Sequence, residues 1–213
     1  MFSLHTTIDL TIIKLPQNKN TSAAVNPPQI HRIEKIALVI GSFFLYLAAF
    51  RINQTLDEHV LYAQGVALVF LPAGVKHIAI LIGRFSGAIG CFLALAYVTP
   101  EFWTDISLSH TFLYSGISTA ATVALVLAGM QILNIHNDLS NLRLMHLPLI
   151  DLITTTGHSF VTNAYFIADG MKVNEEFISN ALGMAFGDFT GSFVMMMMLL
   201  GAIKIKQYFQ TRE

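Results

Sequence analysis

A few polar residues set in long apolar runs are the ones that could do chemistry: Lys76 and His77, Asp151, Thr155, His158 and Thr162, and Asp188. Asp151, Thr155, His158 and Thr162 recur at spacings of four, three and four, which places them on one helical face. A charge at the centre of a bilayer-crossing helix costs about 2.5 to 3.5 kcal/mol on insertion scales, so such groups turn toward protein or water and mark ligand or ion paths. If they converge, an Asp151 or Asp188 carboxylate facing Lys76 neutralises both charges. His158 beside a carboxylate could then bind or release a proton near neutral pH. Lys76, His77, Asp151, Thr155, His158 and Asp188 are therefore the candidate ligand-binding or buried polar site. The same set also suits an internal ion pair that fixes helix register and does no chemistry.

The elements that must hold these groups are membrane helices. The stretch from Val60 to Val98 is almost wholly apolar, broken only by Gln64, Pro72, Lys76-His77 and the turn-like Gly83-Arg84-Phe85-Ser86. It is too long for one soluble helix and suits two spans. The whole chain is 54% hydrophobic and 12% charged, with a mean hydropathy of +0.61, against about 25% charge in a soluble domain. The expected fold is all-α: a polytopic bundle of about six spans, near 34–51, 60–82, 86–99, 110–133, 146–167 and 177–203. The third is short, so tilting, extension at its ends or packing inside the bundle is expected. Pro72 predicts a kink in the second, with the Leu68 carbonyl left without its helical partner. Residues 1–33 read as a flexible cytoplasmic tail, 34–206 as the membrane domain and 207–213 as a short cytoplasmic tail. Lys14, Lys19, Arg32, Lys35, Arg84, Arg143, Lys204, Lys206 and Arg212 all fall on one side of these spans. By the positive-inside rule both termini are then cytoplasmic.

Small residues predict where helices approach closely: Ser179, Gly183, Gly187 and Gly191 lie four apart on the last span, and Gly83 and Gly87 repeat the spacing beside the second turn. Met195 to Met198 point all round a helix and read as core filler and lipid-facing surface. Cys91 is the only cysteine, which leaves no intrachain disulfide and no cysteine-based metal site. No HExxH, GxSxG, glycine-rich phosphate loop or paired-cysteine pattern occurs, so no catalysis, cofactor or metal is expected. The net charge of -1 and scattered basic residues give nucleic acid no footing as a partner. The expected partners are the lipid bilayer and another membrane or cytoplasmic protein.

Two segments carry a family resemblance. Leu71-Pro72-Ala73-Gly74-Val75, then Gly83-Arg84-Phe85 and Gly87-Ala88-Ile89-Gly90, and in the last span Gly187-Asp188-Phe189-Thr190-Gly191, resemble motifs of the first membrane-associated sensor family, the membrane input domain of many bacterial histidine kinases and diguanylate cyclases. The chain differs in having Leu71 where an aromatic-Pro-Pro sequence is usual, and fewer spans. The resemblance implies a ligand- or partner-sensing bundle of a bacterial inner membrane, acting through another protein because no output domain follows. Two other classes fit the size and span number: a substrate-binding subunit resembling the vitamin-capturing components of energy-coupling transporters, and an accessory subunit of a larger membrane complex.

Overall fold

A computed structural model describes residues 32–63, 66–103, 106–171 and 174–210. The expected N-terminal tail, up to residue 31, and the last three residues of the expected C-terminal tail lie outside the described residues. Among the described residues five α-helices follow one another: α1 (Arg32–Val60), α2 (Leu71–Phe102), α3 (Leu108–Ile132), α4 (His146–Ala168) and α5 (Phe177–Gln210). A short antiparallel hairpin, β1 (Leu61–Ala63) with β2 (Val66–Ala67), joins α1 to α2. A 3₁₀ turn, Asn174–Glu176, leads into α5. The runs Arg32–Leu56, Leu71–Phe102, Leu108–Ile132 and Asn174–Ala202 are long and apolar enough to cross a membrane.

Burial is inverted relative to a soluble protein. Phe44, Phe85, Leu108, Ile132 and Met198 face outward, while nearly as many polar as apolar side chains are buried inside. Lipid tails are as apolar as leucine, so contact with them removes the usual reason to hide such residues, and polar pairing with close packing holds the helices together instead. α4 shows this most plainly: Asp151, Thr154, Thr155, His158, Ser159, Thr162 and Asn163 are buried, and Leu149, Leu152 and Val161 are exposed. Its polar inner face keeps it out of the set of long apolar helices.

The region expected to form two spans is a single helical run broken at Arg84, whose φ of 51° and ψ of -128° lie outside helical space. The chain reverses there. A side chain on Gly87 would collide with the Ala79 carbonyl, and Leu71 and Val75 share a core with Cys91, Ala94, Leu95 and Val98. In a straight helix residues 75 and 95 would stand about 30 Å apart. Residues 71–83 and 85–102 thus form an antiparallel pair. The Arg84 guanidinium ties the turn to the 133–145 connection by donating to the Asn137 carbonyl at 2.9 Å. In that connection Asp138 accepts from the hydroxyl (2.7 Å) and backbone N–H (3.0 Å) of Ser140, which holds its carboxyl below the usual range.

The expected kinked helix over 60–82 is corrected. Residues 61–63 and 66–70 are not helical, and Pro72 stands in the first turn of α2. A proline is welcome there because its missing N–H would have no helical partner anyway. The Leu68 carbonyl is consequently never a helix acceptor. Non-helical backbone at membrane depth survives only where protein satisfies it, and α5 does so: Phe70 N–H donates to the Gly187 carbonyl at 3.0 Å. Asn53 of α1 adds a cap, its Oδ1 accepting from Leu71 N–H at 2.9 Å.

The stripe on α5 seats extended backbone at Gly187 and the start of helix α2 at Gly191, and α2's Gly74 lies close against Ser192 of α5. Any Cβ on Gly187 or Gly191 would strike the carbonyl of Ala67 or Phe70; Gly183, partly buried, continues the row. Gly187 lies about 15 Å along α5 from Phe177, near half the thickness of a hydrocarbon core of about 30 Å. The third expected span does lengthen at its ends, running over 85–102. α5 continues through Gln210, into the expected C-terminal tail.

Gly187→Ala and Gly191→Ala should each lower stability by about 1–3 kcal/mol through overpacking against backbone that cannot retreat. Gly41 has open space around it, so Gly41→Ala should be neutral or slightly stabilising. Thermal unfolding of the three variants in detergent decides this; equal midpoints would refute the seating of residues 66–70 on α5.

Candidate functional site

Because α2 starts beside the middle of α5, its first turns carry Lys76 and His77 into the bundle interior, where both are buried. α4 turns His158 and Asp151 toward them, α5 brings Asp188 beside the strand-seating Gly187, and α3 adds Ser118 from its buried polar stripe of Thr111, Ser115, Ser118 and Thr122. Lys76 Nζ lies 3.0 Å from His158 Nε2 and 3.2 Å from Ser118 Oγ. His158 Nδ1 lies 3.0 Å from Asp188 Oδ2. An ammonium has only donors, so Nε2 accepts from Lys76 and the Nδ1–H donates to the Asp188 carboxylate. One positive and one negative charge, 3% exposed each, are thereby joined through a neutral ring.

Ser118 Oγ is 2.9 Å from the same Nε2, and Thr162 Oγ1 is 3.3 Å away. Ser118, His158 and Asp188 thus have the connectivity of a nucleophile, base and acid. Two further features surround this group. The Lys76 ammonium competes for the lone pair that would take the serine proton, and Ser118 sits within α3, where the backbone N–H groups that usually form an oxyanion hole are committed to the helix.

A second cluster lies about two turns along α4. His77 Nδ1 is hydrogen-bonded to Asp151 Oδ1, with Ser192 Oγ at 3.1 Å from the same nitrogen. His77 Nε2 and Asp151 Oδ2 are buried without a hydrogen-bond partner among the described residues.

The six expected site residues divide accordingly. Lys76, His158 and Asp188 meet, His77 and Asp151 meet, and Thr155, although buried, bonds among the described residues only to the Leu152 carbonyl at 3.4 Å. Lys76 touches neither carboxylate directly; the imidazole stands between it and Asp188 because the histidine ring fills the space between α2 and α5. Ser118 and Ser192 escaped the sequence reading, since a serine in an apolar helix carries no distinguishing signal.

Above the Lys76, Ser118, His158 and Asp188 floor lies a cavity of about 50 Å³. At about 10–15 Å³ per water it holds several water-sized groups. Its walls are aromatic: Tyr46 and Phe50 from α1, Phe102 and Trp103 from the end of α2, Tyr114 from α3 and Phe166 from α4. Val66, Ala67 and Phe70 of the hairpin and its extension line it as well. Ring contacts fix these walls, Tyr114 stacking on Phe166 at 5.4 Å and Phe50 meeting Phe102 edge-on at 4.9 Å. Tyr46 and Tyr114 add two hydroxyl-bearing rings to the lining. At this end of the bundle Arg51 pairs with Glu101 at 2.6 Å, and His110 with Asp169 at 3.1 Å. No protein-family model, curated protein or solved structure matches this chain.

Asp188→Asn strands the Lys76 charge and should destabilise the protein by about 3–5 kcal/mol, whereas Asp188→Asn combined with Lys76→Met removes both charges and should be the milder change. Arg51→Ala, at an exposed ion pair screened by solvent, should be the mildest of the three changes. Denaturant titration in detergent measures all three; strictly additive effects at 76 and 188 would reject the coupling.

Proposed function

We propose that this chain is a multi-pass protein of a bacterial inner membrane that recognises a small molecule in the Lys76–His158–Asp188 cavity and reports its occupancy to a membrane or cytoplasmic partner, without catalysis of its own. The observation that carries the reading is the cavity: an aromatic chamber whose polar floor is held by four helices and whose walls include two hydroxyl-bearing rings. Small-molecule sites are apolar hollows with a few convergent polar groups, and this one has that make-up. The likeness of the Leu71–Val75 and Gly187–Gly191 segments to a sensor family points the same way.

In this reading the chain crosses the membrane six times with both termini cytoplasmic, residues 61–83 making one crossing from a hairpin and a half-helix. Support comes from the basic residues Arg84 and Arg143 at one end and the acidic Glu101 and Asp169 at the other. Reporter fusions at residue 169 and at the C-terminus should report outside and inside respectively.

A second reading, a substrate-binding transport subunit, is favoured by one feature. α2 begins in mid-bundle beside a buried polar cluster, and interrupted helices of that kind form substrate sites in secondary transporters.

A panel of small metabolites screened against the purified chain should contain a compound that raises the thermal midpoint, and Asp188→Asn or His158→Ala should abolish the rise while remaining folded. Loss of uptake of that compound on gene deletion selects transport; intact uptake with altered signalling selects sensing. A panel in which nothing shifts the midpoint refutes both.

A further inference from the structure

The polar inventory of the cavity is lopsided toward donors. Lys76 Nζ spends two of its three N–H groups on Ser118 and His158 and faces the chamber. Tyr46 and Tyr114 line it with hydroxyls that can donate as well as accept, and Trp103 contributes an indole whose N–H is a donor only. Against these stands the Asp188 carboxylate, already accepting from His158 Nδ1 at 3.0 Å. A chamber rich in donors and walled by aromatic rings fits a ligand with an acceptor-only head and a short apolar body.

We propose that the site takes a small monocarboxylate, and that His158 takes up one proton as the carboxylate binds. The inference rests on the ligand-binding reading above. The empty site is electrically balanced, Lys76 against Asp188. A bound anion adds a charge that low-dielectric surroundings penalise heavily. When Lys76 turns its N–H groups to the carboxylate, His158 Nε2 loses that donor. A proton from water then adds to Nε2, and the new N–H donates to Ser118 Oγ, already 2.9 Å away. The site returns to balance with two cations and two anions.

The neighbouring titratable groups offer no competing acceptor. Tyr46 from α1, Tyr114 from α3 and Cys91 from α2 are neutral when protonated and can only lose a proton. His77 from α2, bonded through Nδ1 to Asp151 from α4, keeps an Nε2 without a partner among the described residues, but neither residue lines the cavity, so neither competes at the bound ligand. Protonating Asp188 from α5 would weaken its bond to His158, whereas protonating Nε2 keeps every other bond of the floor.

The test uses the full chain in detergent with sodium propionate and its neutral isostere propionamide, between about pH 5.5 and 8, where a carboxylic acid of pKa about 4 to 5 stays ionised. Propionate should raise the thermal midpoint and propionamide should not. Titration calorimetry in buffers of different ionisation enthalpy should show one proton taken up per propionate. Within the window of uptake, affinity should fall tenfold for each unit rise in pH. Lys76→Met should lose the response. His158→Gln, whose amide can still accept from Lys76 and donate to Asp188, should keep propionate binding but lose its pH dependence, which a merely structural role for His158 would not produce. Equal responses to propionate and propionamide, or binding without proton uptake, overturn this inference and leave the ligand-binding reading standing. Silence from both probes and from every neutral or charged compound of the metabolite panel takes that reading down as well.

Discussion

A lysine ammonium and an aspartate carboxylate can sit among apolar helices only if each is neutralised and each spare hydrogen-bonding position is used, and His158 meets both needs at once. Its ring bridges a cation and an anion that do not touch. Since Lys76, Ser118, His158 and Asp188 come from α2, α3, α4 and α5, the same bonds fix the relative register of four helices. In lipid, where burying leucine against leucine gives no advantage over burying it against acyl chains, register must come from bonds of this kind and from close backbone contact.

Room for that bonded chain comes from an interruption in the helical path. Were residues 61–63 and 66–70 helical, α2 would enter from the membrane surface and its apolar turns would fill the centre of the bundle. Instead the hairpin and its extension lie against α5, where Gly187 and Gly191 let the Ala67 and Phe70 carbonyls approach, and the Phe70 and Leu71 amides find acceptors in Gly187 and Asn53. The half-helix then delivers Lys76 one turn below its own start. The strand-seating Gly187 and Asp188 are neighbours in sequence for this reason: the residue that holds the extended segment and the residue that anchors the floor occupy one turn of α5.

Much of this was legible in the amino-acid sequence because membrane helices announce themselves by length and polar residues inside them by their expense. The shared face of Asp151, His158 and Thr162 on α4 follows from spacing, and the turn at Gly83-Arg84 and the burial of Asp188 from residue type. The start of α2 was not legible. Val60–Phe70 is as apolar as a helix, and hydropathy cannot distinguish a buried hairpin from a span; the proline at 72 signalled a helix start as well as a kink. The aromatic walls were equally hidden, because Tyr46, Tyr114 and Phe166 look like any ring in a membrane helix until the fold brings α1, α3 and α4 around one space. Histidine partner choice was beyond reach too: spacing placed His158 near a carboxylate but could not show that it stands between Asp188 and Lys76.

The central claim is the proton arrangement of His158. ¹⁵N NMR of histidine-labelled protein in lipid bilayers reads it directly, with the His158 resonances assigned by their loss in His158→Gln. In the ligand-free protein at neutral pH the ring should be neutral, with its proton on Nδ1 and a hydrogen-bonded lone pair on Nε2. A proton on Nε2 with Nδ1 bare, or a doubly protonated ring in the empty site, would contradict the account.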